Sequence, residues 1–150
     1  MTKLLYVLIA IPVLIIVVFF ALGVMSKKGE TPGLKEGQLQ ACMSTDNCVI
    51  SEIINGDPNT VEPFVFSGDK VLFVEKLKTA LQSLGGQVNT IDGDYIGVTF
   101  TSAVFGFVDD VELRIAEDNI LHFRSASRVG RKDFGANKKR VEALTLLLKD

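Results

Sequence analysis

Asp109, Asp110 and Glu112 bring three carboxylates into one short run, and Arg124, Arg128 and Arg140 follow downstream. Carboxylates at such spacing can ligate a divalent cation or share acid and base duties in a hydrolysis. The same six residues can instead satisfy one another as charge-assisted hydrogen bonds in a structural ion network. The network is the favoured reading, because strand pairing sets Arg124 opposite Glu112. The single histidine, His122, lies on the polar side of its strand, where a solvated imidazole is commoner than a general base. Ser125 and Ser127 lack the sequence of a nucleophile elbow, so structural roles suit them.

Gly130-Arg131-Lys132-Asp133-Phe134-Gly135 precedes a helix and offers backbone N–H groups and two cations to an anion such as a lipid headgroup. A capped turn whose glycines permit tight geometry is the simpler account. Cys42 and Cys48 are the only thiols, and their short spacing points to a small disulfide loop in an oxidising compartment. Two unrelated buried thiols are the alternative. A zinc site would need further ligands, and His122 is far away in sequence.

Two helices and about four strands must position these groups. Asp69 to Leu84 carries Phe73, Leu77, Leu81 and Leu84 at helical spacing, with Ser67 as a plausible N-cap and Gly85-Gly86 as the stop. QVNTI and YIGVTFTS follow as strands around an Asp92-Gly93 turn. In FVDDVELRIA, Val111, Leu113 and Ile115 alternate with Asp110, Glu112 and Arg114; in ILHFRSASR, Leu121 and Phe123 alternate with His122, Arg124 and Arg128. A three-residue turn at Glu117-Asp118-Asn119 sets Leu113 against Phe123 and Glu112 against Arg124, a register in which both apolar sets agree. A last helix, Ala136 to Lys149, repeats an apolar stripe at Val141, Leu144 and Leu148, with Asp133 as its cap. Helix, strands, helix reads as an α+β fold: an antiparallel sheet of about four strands with two helices on one face.

The chain has 150 residues, 47% of them hydrophobic, enough for one core and an appendage. Its formal charge of -2 gives no general attraction to nucleic acid, and no motif implies a cofactor. The C-terminal stretch holding Arg131, Lys132, Lys138, Lys139 and Arg140 is nonetheless locally basic and suits an acidic partner or a membrane surface.

Leu4 to Val24 contains no charge and rises roughly 31 Å as a helix at ~1.5 Å per residue, matching a bilayer core. A cleaved signal is the competing reading, with Ala21-Leu22-Gly23 resembling its cleavage site, but the apolar run is longer than a signal's usual core. We therefore read residues 4–25 as a transmembrane anchor, 26–38 as a Gly-, Lys- and Glu-rich linker lifting the domain off the bilayer, and 39–150 as one globular domain. Within that domain, Gln38 to Pro63 reads as irregular, with Pro58 and Pro63 opposing regular structure. Lys27, Lys28 and Lys35 against Lys3 favour a cytoplasmic domain; the cysteine pair favours the extracytoplasmic side and is given more weight.

The run FVDDVELRIAEDNILHFRSASRVGRKDFGANKKRVEAL, with CMSTDNCVIS before it, resembles the signature of the domain of unknown function 1499 family. The resemblance covers roughly Leu39 to Leu148. Lys138 stands where the family pattern has arginine, and Arg131-Lys132 where it has Tyr-Ser. The resemblance adds Asp133 and Asn137 to the candidate set and implies no reaction. Two functions follow. One is a non-enzymatic accessory or binding module of the cell envelope, joining a membrane complex or holding an apolar or anionic ligand between sheet and helices. The other is a small membrane-tethered hydrolase or metal-dependent enzyme using Asp109, Asp110, Glu112 and Arg128.

Overall fold

The computed structural model describes residues 2–44, 46–52 and 59–149. Pro58 and the start of its turn-rich run lie outside them. The first helix, α1 (Thr2–Ser26), contains Pro12 and is long and apolar enough to cross a membrane; only 6% of its most apolar window is buried against protein, unlike the core helix of a soluble domain.

Six strands form the main sheet: β3 (Cys48–Ile50), β4 (Phe64–Val65), β5 (Gln87–Asp92), β6 (Tyr95–Thr101), β7 (Val108–Ala116) and β8 (Ile120–Ser127). Their order is β3-β8-β7-β6-β5, every pair is antiparallel, and β4 joins β8 below β3. The expectation of about four strands is corrected here. β3 and β4 are three and two residues long, too short to show alternation. A separate ladder pairs β1 (Leu34–Lys35) with β2 (Gln38–Leu39).

The β7–β8 register sets Leu113 opposite Phe123 and Glu112 opposite Arg124. Its connection, Glu117–Asn119, turns tightly because Asp118 and Asn119 take left-handed φ of 58° and 60°, which their short polar side chains tolerate.

One sheet face is covered by α2 (Lys70–Ser83) and α3 (Ala136–Lys149). Phe73, Leu77 and Leu81 of α2 and Val141, Leu144 and Leu148 of α3 meet Val98, Val111, Leu113 and Phe123 of the sheet in the main core. The cap of α2 is Asp69, not Ser67: its carboxylate accepts from Val71 N and Leu72 N at 2.8 and 3.0 Å. Asp69 directly precedes the first helical residue, where a side-chain oxygen reaches those amides.

The segment read as a spacer is tied to the sheet. Ser26 Oγ accepts from Val108 N at 3.0 Å, and Gly33 N donates to Glu112 Oε1 at 2.8 Å. A buried carboxylate demands donors, and this segment supplies one.

Candidate functional site

Alternation along β7 sends Asp109 to the helix-covered face and Asp110, Glu112 and Arg114 to the other. Asp109 accepts from Arg140 Nη2 of α3 at 2.6 Å. Asp110 is held by two nitrogens of Arg128, Nε at 2.9 Å and Nη2 at 2.7 Å. Glu112 accepts from Arg124 Nη1 at 2.6 Å, from the Tyr95 hydroxyl at 3.0 Å and from Gly33 N. The alternative, one metal-binding or catalytic cluster of Asp109, Asp110 and Glu112, is split across the sheet, with Asp110 and Glu112 sharing a face and Asp109 on the other. Successive strand residues point to opposite faces, so these three cannot converge on one cation or one substrate atom.

Each carboxylate is closed by an arginine of its own. A fourth pair, Arg114 with Glu52, completes the set on the outer face, and Glu52 also accepts from Leu39 N. Glu112 and Arg124 are 0% and 5% exposed at their side chains. Burial at that depth is tolerable only for charges that are paired and hydrogen-bonded. Burial, the neighbouring Glu112 and Asp110 charges and the bond to Glu112 raise the Tyr95 hydroxyl well above its ordinary pKa, against a hydrogen bond with Thr31, so it stays a donor.

On the helix face the centre is Asn137, with no solvent exposure. Its Oδ1 accepts from Ser125 Oγ at 2.6 Å and Arg140 Nη1 at 2.7 Å; its Nδ2 donates to Asp133 Oδ2, Asn47 O and Ser127 Oγ at 2.8, 3.0 and 3.1 Å. Ser125 and Ser127 thus serve this junction. Arg140 also lies over the Phe100 ring, 4.6 Å from its centroid.

The glycine turn is turned inward. Asp133 accepts from Gly135 N at 2.9 Å and Asn137 N at 2.8 Å, so these two amides already hold a carboxylate of the chain. Burial opposes ionisation of Asp133, but these two amides and the Asn137 side chain hold it below the usual carboxylate range. Gly130 and Gly135 take φ of 91° and 79°, and Gly130 O accepts from Asn47 Nδ2 at 2.6 Å. Arg131 and Lys132 point to solvent.

His122 is 3.3 Å from Ser51 Oγ through Nδ1. Burial holds its imidazole below the ordinary range, opposed by Glu52 and reinforced by Arg114. The pair has the composition of a nucleophile and its base, but Ser51 is 1% exposed and its Oγ accepts from Phe123 N at 2.8 Å. A substrate does not reach it. Sequence reasoning missed the roles of Ser51, which closes the CMSTDNCVIS run, of Glu52 just after it, and of Tyr95, which opens the YIGVTFTS strand. The available signal was Arg114, a charge on the same strand face as Glu112 for which the sequence offered no partner, and which Glu52 neutralises.

Cys42 and Cys48 are joined in a disulfide. The main core packs between sheet and helices, and two hollows open at its margin: one of ≈ 630 Å³ beside β4 and α2, lined by Phe64, Phe66, Phe73 and Leu148 among others, and one of ≈ 530 Å³ along α3, lined by Val61, Val141 and Thr145 among others. A polar cleft of ≈ 620 Å³ lies between the segment after α1 and the outer face of β5 and β6, lined by Lys27, Glu30, Thr31, Asn89, Thr90 and Thr99 among others.

Residues 38–148 match the family described as "Protein of unknown function (DUF1499)". No curated protein and no solved structure matches the chain.

Proposed function

The chain belongs to the DUF1499 family of proteins of unknown function, and from that premise we propose that it is a membrane-anchored envelope protein whose extracytoplasmic domain is a non-enzymatic binding or accessory module. One observation carries the reading. The acids an enzyme would use, Asp109, Asp110 and Glu112, each sit in a closed ion pair, two of them on one face of the sheet and one on the other. A general base or metal ligand needs a lone pair facing its substrate or ion, and a general acid needs a proton there; here the carboxylate oxygens accept from arginines, the Tyr95 hydroxyl and the Gly33 amide. The polar cleft beside α1 is open to a ligand or partner, and its threonines, asparagine and lysine suit a polar or anionic group.

The anchor rests on α1, whose apolar surface the domain leaves uncovered except near its C-terminal end. The side of the membrane rests on the Cys42–Cys48 disulfide. Purification of the full chain from native membranes, with mass analysis of co-purifying proteins and lipids, tests the function. A stoichiometric membrane protein or polar ligand that is lost in a cleft-blocking Thr99→Trp variant supports the module. Turnover of a metabolite that is abolished by Asp110→Asn or Glu112→Gln at unchanged Tm overturns it.

A further inference from the structure

The domain reaches back along α1. Phe105, in the connection from β6 to β7, has its ring centroid 5.1 Å from Phe19 and 5.2 Å from Phe20, and Phe107 meets Phe19 edge-on at 6.1 Å. The backbones also touch. A Cβ on Gly23 would stand 1.8 Å from the Phe105 carbonyl oxygen, so only glycine lets helix and loop approach this closely.

Phe19 and Phe20 belong to the uncharged run, and the first charges after it are Lys27 and Lys28. The rise from Phe20 to Lys27 is about 10 Å at ~1.5 Å per residue. Helical side chains also tilt toward the N-terminus, which carries the two rings deeper. If the lysines stay with the headgroups, Phe20 lies beneath them, at or inside the hydrocarbon edge. A side chain packed on Phe20 lies there too.

We propose that the 102–107 connection is a second membrane contact, a tip that enters the headgroup and acyl-chain boundary beside α1 and sets the orientation of the domain on the bilayer. This rests on the reading of α1 as a span. Val104 in the connection is apolar and 69% exposed. The base of the tip is closed on itself: Ser102 N donates to Phe107 O, Gly106 N to Ser102 O and Phe107 N to Ser102 Oγ, at 2.8, 3.1 and 2.9 Å. Such bonds lower the cost of moving these backbone groups out of water, and the headgroup layer is polar enough to hydrate the rest. Exposed Arg131 and Lys132 leave the sheet at the same end, since Arg128 N donates to Val108 O, and they supply cations for anionic headgroups.

The chain has no tryptophan, so single Trp variants report one position each. The full chain is reconstituted in phosphatidylcholine and phosphatidylglycerol vesicles containing lipids brominated at defined acyl positions. Val104→Trp is expected to emit to the blue of Val71→Trp, at the far end of the domain on α2, and to be quenched severalfold more by shallow bromines. Ile15→Trp, within the span, reports on α1 alone. Quenching of Ile15→Trp with water-like, unquenched Val104→Trp overturns the tip and leaves the span standing. Blue-shifted but unquenched Val104→Trp means a protein covers the tip and overturns the lipid assignment. An unquenched Ile15→Trp overturns the span and the tip together.

Discussion

Glu112 and Arg124 face each other across β7 and β8, and their side chains meet at 2.6 Å in a site closed to solvent. Removing one partner leaves the other as a buried charge without its counter-ion, which costs on the order of 3 kcal/mol. Glu112→Gln and Arg124→Met should each lower stability by about that much, and the double variant should lose less than the sum of the singles. Denaturant melts of the four proteins decide this, repeated with millimolar divalent cations. Additive losses together with a cation-dependent rise in Tm would move the carboxylates from structure to metal binding.

Asn137 is the corresponding keystone on the helix face. Its amide joins α3 to β8 through Ser125 and Ser127 and to the disulfide loop through Asn47 O. Asn137→Leu keeps the volume but strands the buried polar atoms it served, a loss of about 2–4 kcal/mol if two or so remain unsatisfied. Amide exchange should then rise at Ser127 and Asn137 before it rises in the centre of β7. A stability change below about 0.5 kcal/mol, typical of a surface substitution, would reject this role.

Much of this architecture was legible in the sequence because β7 and β8 alternate cleanly. Val111, Leu113 and Ile115 against Leu121 and Phe123 admit one register, and that register alone places Arg124 on Glu112. The remainder was hidden for physical reasons. β3 and β4 owe their conformation to β8, and two or three residues carry no period. Asp109 adjoins Asp110 in sequence, but adjacency in a strand means opposite faces, and its partner Arg140 lies on α3, which no strand register reveals. Phe105 gives no signal by itself; its contact with Phe19 depends on how α1 enters the domain.

His122 gives a pH prediction with a definite sign. Its folded pKa lies below the ordinary 6.5, chiefly because burial disfavours the cation. Well above pH 6.5 it is neutral in both states and contributes no slope. As pH falls below 6.5 the unfolded chain takes up the proton first, so stability declines until the folded value is reached and then levels. His122→Gln should flatten the stability profile in that window. As the chain has one histidine, its proton NMR titration is unambiguous, and a midpoint at or above 6.5 in the folded protein contradicts the assignment.

The Cys42–Cys48 bridge closes a short loop whose exit residue, Cys48, is buried in β3 beside Asn47. Asn47 donates to Gly130 O, and its carbonyl accepts from Ser127 N and Asn137 Nδ2, so the loop fixes one wall of the junction that orients α3. For a loop of this length the chain-entropy account gives about 2 kcal/mol of stabilisation. Reduction, or a Cys42→Ser and Cys48→Ser double substitution, should lower stability by that order and loosen the 130–135 turn first. In cells the bond persists only where the compartment is oxidising. Protein quenched with alkylating reagent at lysis should therefore carry no label at either cysteine until it is reduced. Two labelled thiols before reduction would place the domain on the cytoplasmic side and leave the lysines after α1, not the cysteines, as the guide to its orientation.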